Sequence, residues 1–391
     1  MRTGLKKIVC GMSGGVDSSV AAYMLKKRGH EVVGLFMKNW DIADEKGKCS
    51  SDADREDAQY VCDRLKIPLH DVNFVKEYWN EVFSTLIKGY ENGYTPNPDI
   101  LCNKHIKFKY FFDHAINNIG ADAIATGHYV KTSVFENLEN PDTSEGIKLM
   151  LPLDQWKDQT LFLSQIPQRA LQKSVFPLGD ILKKDVKKIA ESIGLDRIAK
   201  KKESMGICFI GKRNFQSFVE EYIEQKPGNF VDVETDKIVG THKGAHYWTI
   251  GQRTHLSGLD KAYFVSSLDT DSQTVYVAKG TDHPALFFET LFTEPVHWIH
   301  KPPRDLIQNQ MCDVGFRYQH VHPVSPCTLT LSGGNSLIVS LAQPMRSIAA
   351  GQYAVFYKDN ECLGSARILR TGPSLYVLNY KDRVKFAKEF S

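Results

Sequence analysis

No two of the eight cysteines stand in a Cys-x-x-Cys pair; they fall at 10, 49, 62, 102, 208, 312, 327 and 362, without regular spacing. That scatter speaks against a disulfide framework and against a zinc or iron–sulfur site built from cysteine alone, and it suits a reducing compartment. No apolar run approaches the roughly 20 residues a membrane helix needs, so no membrane association is expected. Net charge is small, +3 over 391 residues, so bulk charge announces no nucleic-acid partner and any basic surface has to be local. No signal peptide is expected, because a strand follows Arg2, Lys6 and Lys7 at once. With 42% hydrophobic residues the chain can bury a core, and its length fits two or three domains.

What the sequence does have begins at Lys7. KIVCGMSGGVDSSVAAYMLKKR reads as a short apolar strand (Ile8, Val9, Cys10), a glycine turn (Ser13, Gly14, Gly15) and a helix opening at Asp17 and Ser18. Such a turn aims successive N–H groups into one concavity, and the helix adds its positive end. Gly11, Met12, Ser13, Gly14, Gly15, Val16, Asp17 and Ser18 therefore form a candidate pyrophosphate cradle. It is not the GxxxxGK[ST] loop, since no Lys follows the glycines. SGGVDSS resembles the loop of the ATP pyrophosphatases, which split ATP between its α and β phosphates to adenylate a substrate; the plainer alternative is a turn joining strand to helix in any α/β domain.

EVVGLFM is a second apolar strand that places Met37 where an adenine could pack, or in the core. Ser51 caps a helix with Ala58, Val61, Cys62 and Leu65 on one face; IPLHDVNF is a third strand; Lys76 to Tyr90 is helical, with Trp79, Val82, Phe83 and Leu86 spaced for a core. Strand and helix alternating at this length predict a doubly wound parallel sheet. TPNPDILCNKHIKF breaks the pattern: two prolines bar regular helix and predict an exposed turn presenting Asn97, Asp99 and Cys102 at the mouth of the next helix. Flanked by Lys104 and His105, Cys102 is either a thiol of lowered pKa or a structural cysteine. In ADAIATGHY, a fourth strand, Gly127 lets backbone approach a ligand, and His128 lies beyond the strand's carboxyl end as ligand contact or solvated loop residue. Lys157, Asp158 and Gln159 make a polar front that suits a phosphodiester backbone or simply a solvated helix start. Cys208, after three lysines in AKKKESMGICFIG, is an inert core residue or a reactive thiol.

Past KPGN the patterning turns to two-residue alternation, in GNFVDVETDKIVG, AYFVSSLD, QTVYVAKG, PCTLTLSG, NSLIVSLA and QYAVFYKDNECLGSARIL. This predicts a catalytic domain over 1–225, a small β-rich linking domain over 226–288 and a C-terminal antiparallel β-barrel, or a sandwich, over 289–391. In HYWTIGQRTHLSGL, aromatics beside Arg253 and His255 either touch RNA or form core with a solvated base.

Taken in order, the loop, PNPDILCNKHIKF, ATGHY, KDQ, KKESMGICFIG, GQR and the closing QYAVFY and ECLG resemble the tRNA 2-thiouridylases over essentially the whole chain, and GLFMKNWD with KKESMGICFIGKRNF resembles their animal mitochondrial branch. The resemblance implies ATP-dependent exchange of sulfur for oxygen at C2 of the wobble uridine. It implies that Gly11 to Ser18 hold phosphates, Met37 and Gly127 contact the nucleotide, and Asn97, Pro98 and Asp99 meet the target base, with Asp99 as general base or thiol-orienting group. Cys102 would be the nucleophile and Cys208 the persulfide carrier, the two passing through a disulfide or an equivalent exchange. His128, Lys157, Asp158, Gln159, Arg317, Tyr318 and Gln352 would contact tRNA. Mg²⁺ would accompany ATP with no tightly bound metal, a persulfide protein fed by a cysteine desulfurase would supply sulfur, the chain would be monomeric without RNA, and its place would be the mitochondrial matrix, or the cytoplasm if the branch resemblance misleads. Two other readings are an adenylating small-molecule ligase or amidotransferase of the same superfamily, and a nucleotide-sensing RNA-binding protein without chemistry.

Overall fold

The computed structural model describes residues 6–40, 50–133, 146–202, 218–256 and 261–379. The chain sorts into two compact units, one of Met1–Phe83, Pro98–Gly211 and Asp359–Leu363, the other of Ser84–Asn97, Lys212–Lys358 and Gly364–Ser391.

In the first unit, β1 (Lys7–Met12), α1 (Val16–Lys27), β2 (Glu31–Lys38), α2 (Ser50–Leu65) and β3 (Leu69–Asn73) follow in order, joined later by short strands at Ala123–Ala125 and Ser174–Val175. All pair in parallel, in the spatial order β3, β2, β1, 123–125, 174–175. The order reverses at β1, so the loops leaving β1 and 123–125 open the crevice where such sheets bind ligands. Ile8, Val9 and Cys10 are wholly buried, as a central parallel strand covered on both faces requires. The predicted face of α2 is buried through Ala58, Val61, Cys62 and Leu65. Gly34 is where strand and helix come closest, since a Cβ there would lie 2.9 Å from Cys62 Sγ and 3.0 Å from Met12 Cγ.

Three predictions change in detail. Pro98 does not bar a helix; it is the first residue of the turn Pro98–Leu101, where its missing N–H and fixed φ cost nothing, and the chain then runs on as a π-helix over Cys102–Phe111. Trp79 opens a second π-helical turn, Trp79–Phe83, and is 41% exposed instead of facing the core, stacked on Trp40 at 5.6 Å. The fourth strand is shorter than predicted, because Thr126 onward leaves the sheet for the crevice.

The second unit holds a four-stranded sheet of 228–232, 238–242, 263–269 and 274–279. It also holds an antiparallel barrel in which Phe287–Thr293, Leu337–Arg346, Ser325–Leu331, Met311–Arg317, Tyr353–Lys358 and 364–371 follow in that order and the last closes on the first. Closure removes free sheet edges. Trp248, partly buried, packs edge-on against Phe230 at 5.0 Å, and Arg253 is exposed.

Candidate active site

The loop is shaped by small side chains hydrogen-bonding to one another. Ser13 N–H donates to Ser18 Oγ (3.2 Å), the hydroxyls of Ser13 and Ser18 meet at 3.1 Å, and the hydroxyls of Ser18 and Ser19 donate to Gly15 O at 3.1 and 2.8 Å. Gly15 is the N-cap of α1, and no side chain caps the helix, so its first-turn amides are left to an anion. Gly14 has φ +69°, and a Cβ there would lie 2.3 Å from Asp54 O; the position accepts only glycine. Met37 closes one side: its Cε lies 3.8 Å from where a Gly11 Cβ would be, with Phe111 Cζ at 3.5 Å.

Gly127 makes its close approach to the loop itself. A Cβ there would fall 2.7 Å from both Asp17 C and Ser18 N, so the end of strand 123–125 supports the cradle from below. Tyr129 Oη donates to Asp17 Oδ1 (2.7 Å), and Lys183 Nζ lies 2.7 Å from each Asp17 oxygen. On the other side Lys201 Nζ donates to Gly14 O (3.4 Å), Asp54 Oδ1 and Asp57 Oδ2 (both 2.7 Å). Burial disfavours the Lys201 ammonium, but its hydrogen bonds to the two carboxylates outweigh that and raise its pKa above 10.5. Sequence reading missed Tyr129, Lys183 and Lys201 as loop partners. Only the lysine run before Cys208 hinted at one of them, and nothing local links positions 166 or 187 residues apart.

Cys102 is buried, one turn into the helical segment instead of at its mouth. The flanking cations expected to act on it are bonded elsewhere: Lys104 Nζ donates to Gln165 Oε1 (3.1 Å), and His105 Nδ1 lies 3.5 Å from Glu81 Oε2. Asn103 Nδ2 donates to Phe162 O (3.2 Å). Cys208 lies outside the described residues.

Asp99, although exposed by surface area, is crowded enough that desolvation raises its carboxyl pKa above 3.8 against the pull of Lys107. Lys107 also donates to His128 Nε2 (3.2 Å). An ammonium has only donors, so Nε2 accepts and Nδ1–H points to Thr126 Oγ1 at 2.7 Å. His128 is thus a buried neutral imidazole and not a solvated loop residue; burial, then Lys107, hold its pKa well below 6.5. A histidine depressed this way contributes stability that is complete above pH 6.5 and declines as pH falls toward the folded-state value, because the unfolded chain takes up the proton first. His128→Gln is expected to flatten the acid limb of thermal stability below about pH 6.5. A melting series from pH 8 to pH 5 checks this, and an unchanged slope would contradict it.

The remaining candidates turn inward. Asp158 is 2% exposed and accepts from Thr160 N–H (2.9 Å), while Gln159 is joined to Tyr129 backbone through its Oε1 (2.9 Å) and its N–H (3.1 Å). Lys157 is half-buried, next to Trp156 at 88% exposure. In the second unit, Asn97 is half-buried; Arg317 is buried and donates to Tyr357 Oη (2.9 Å); buried Tyr318 donates to Arg346 O (2.7 Å), with burial pushing its pKa up to about 12; and Gln352 Nε2 donates to Thr95 O (2.7 Å).

Comparison with known proteins covers the whole chain. Residues 6–212 match the family described as tRNA methyl transferase HUP domain, 216–279 its PRC-barrel domain, and 288–368 an aminomethyltransferase beta-barrel domain. Mitochondrial tRNA-specific 2-thiouridylase 1 of Gallus gallus is 51% identical over 397 residues, with 95% of this chain and 94% of the relative covered. The protein of that name from Homo sapiens is 49% identical, covering 97% and 94%. A tRNA-specific 2-thiouridylase of Blochmanniella floridana is 42% identical, covering 96% and 100%.

Proposed function

Because the chain belongs to the tRNA-specific 2-thiouridylase family, a group of ATP-using sulfurtransferases that act on tRNA, we propose that it replaces O2 of the wobble uridine with sulfur, activating that oxygen with ATP bound at Gly11 to Ser18. The observation that carries the reading is the loop: an uncapped helix N-terminus behind a Ser-Gly-Gly turn, at the point where the sheet order reverses. Gly11 and Met37 line one side, Gly127 braces the floor, and ATP is held there with Mg²⁺ brought by its phosphates.

The uridine leaves the anticodon stack and meets Asn97, Pro98 and Asp99. Its O2 attacks the α-phosphorus as Asp99, made more basic by crowding, takes the N3 proton; the bond to the β-phosphate oxygen breaks and pyrophosphate leaves. Sulfur then attacks C2, and O2 departs with AMP. The sulfur comes from a persulfide on Cys208, whose S–S bond Cys102 thiolate cleaves, leaving a Cys102–Cys208 disulfide or its exchange equivalent for an external thiol to reduce. The persulfide is loaded by a donor protein fed by a cysteine desulfurase. His128, Lys157, Asp158, Gln159, Arg317, Tyr318 and Gln352 serve tRNA binding mainly by holding the backbone around them, since most of their polar atoms bond internally. The names of the animal relatives support a mitochondrial place, and we assign the matrix; the chain acts as a monomer until RNA binds. The division at about 225 and 288 is supported by the breaks between the family matches.

Mass spectrometry of nucleosides from unmodified tRNA, incubated with the full chain, ATP and a persulfide donor, is expected to show 2-thiouridine only when ATP is present. Formation of 2-thiouridine without ATP, or none with it, would overturn the reading.

A further inference from the structure

We propose that Lys183 is a phosphate-site residue, supplying the positive charge that the Gly11 to Ser18 loop does not itself carry. This rests on the reading that ATP binds that loop. A polyphosphate needs countercharge, yet the residues after Gly14 and Gly15 are Val16, Asp17 and Ser18, and the charge among them is negative. The first turn of α1 carries the Asp17 carboxylate, whose charge opposes the attraction of the helix amides for an anion.

Lys183 corrects this from far along the chain. It is the first residue of the helix Lys183–Ser192, and its Nζ lies 2.7 Å from each Asp17 oxygen. Its side chain is only 11% exposed, the ammonium lies 5.7 Å from the centroid of the Tyr129 ring, and the Tyr129 hydroxyl donates to the same carboxylate. The backbone end is fixed as well, since Lys183 N–H donates to buried Asp154 Oδ2 at 2.8 Å.

Stability alone does not account for a lysine so enclosed, paired with an Asp17 side chain that is 33% exposed. Desolvating an ammonium and a carboxylate offsets most of their attraction, and well-packed apolar residues hold helices together as well or better. What the pair does provide is a carboxylate neutralised in the first turn of α1 and an ammonium held at that turn by both Asp17 oxygens. An entering triphosphate competes with Asp17 for that ammonium and keeps it within the same shell.

The effect should scale with phosphate, which separates it from a role in loop shape. ATP and adenosine are titrated calorimetrically against the full-length wild type, Lys183→Met and Lys183→Arg, with circular dichroism melts to verify folding. Lys183→Met is expected to weaken ATP binding about 10- to 100-fold, the range for loss of one hydrogen bond to a charged group, with adenosine affinity kept and Lys183→Arg retaining most of the ATP affinity. If Lys183→Met does not fold, Lys183→Gln, which can still donate to Asp17, takes its place with the same expected outcome. Equal weakening of both ligands would make Lys183 a shaping residue and overturn the proposal, as would unaltered ATP binding. A wild-type chain that bound adenosine no less tightly than ATP would instead overturn the loop reading beneath it.

Discussion

Replacing Cys102 with Ser is expected to slow 2-thiouridine formation roughly a thousandfold or more and to leave ATP affinity within about twofold, because under the proposed mechanism it removes a nucleophile and not a binding group. The geometry makes this a clean substitution. The helical segment carrying Cys102 is anchored by its neighbours, with Asn103 on Phe162 O, Lys104 on Gln165 and His105 against Glu81. A serine of nearly the same shape therefore leaves the segment in place, and the loss reports chemistry. Single-turnover thiolation with persulfide-loaded protein measures the first quantity and an ATP titration the second. A Cys102→Ser protein that thiolates at the wild-type rate would remove Cys102 from the mechanism, and one that also lost ATP binding would mean the substitution had disturbed the fold.

Gly127→Ala is expected to weaken ATP binding by roughly five- to a hundredfold, about what 1–3 kcal/mol of overpacking strain gives when the binding loop carries it. The added methyl would lie 2.7 Å from Asp17 C and Ser18 N, and both atoms are backbone, which cannot rotate aside. Strand 123–125 cannot yield either, being paired to β1 on one side and to 174–175 on the other. The strain falls on the first turn of α1, whose amides form the proposed phosphate site, and whose Asp17 is already fixed by Lys183 and Tyr129. Overpacking of this kind costs about 1–3 kcal/mol of stability, so the fold should survive while the site does not. ATP titration against this variant checks it, and wild-type affinity would show that the loop tolerates displacement.

Much of this was legible in the sequence because it is local. The strand, glycine turn and helix of the loop, the buried face of α2 and the alternating strands of the barrel each follow from periods of 2 or 3.6 residues and from turn chemistry. Met311–Arg317 is not legible as a strand although Cys312, Val314 and Phe316 alternate inward, because Gly315 and the single charged residue between them, Asp313, weaken the pattern. Phe287–Thr293 was overlooked because its apolar residues do not alternate strictly. Long-range chemistry was not legible. Nothing near Lys183 or Tyr129 says that both close on Asp17, and nothing near His128 says that Lys107 fixes its tautomer. Residue type alone also overstated exposure: Asp158, Arg317 and Tyr318 looked like surface contacts and are buried with internal partners.

The central claim is that ATP at this loop converts uridine O2 into a leaving group. It is tested most directly with tRNA whose wobble uridine carries heavy oxygen at O2, turned over once with ATP and persulfide donor, and mass analysis of the released AMP. The account predicts the heavy atom in the phosphate of AMP, one per 2-thiouridine formed. Heavy oxygen found in water or in pyrophosphate, with AMP unlabelled, would contradict it.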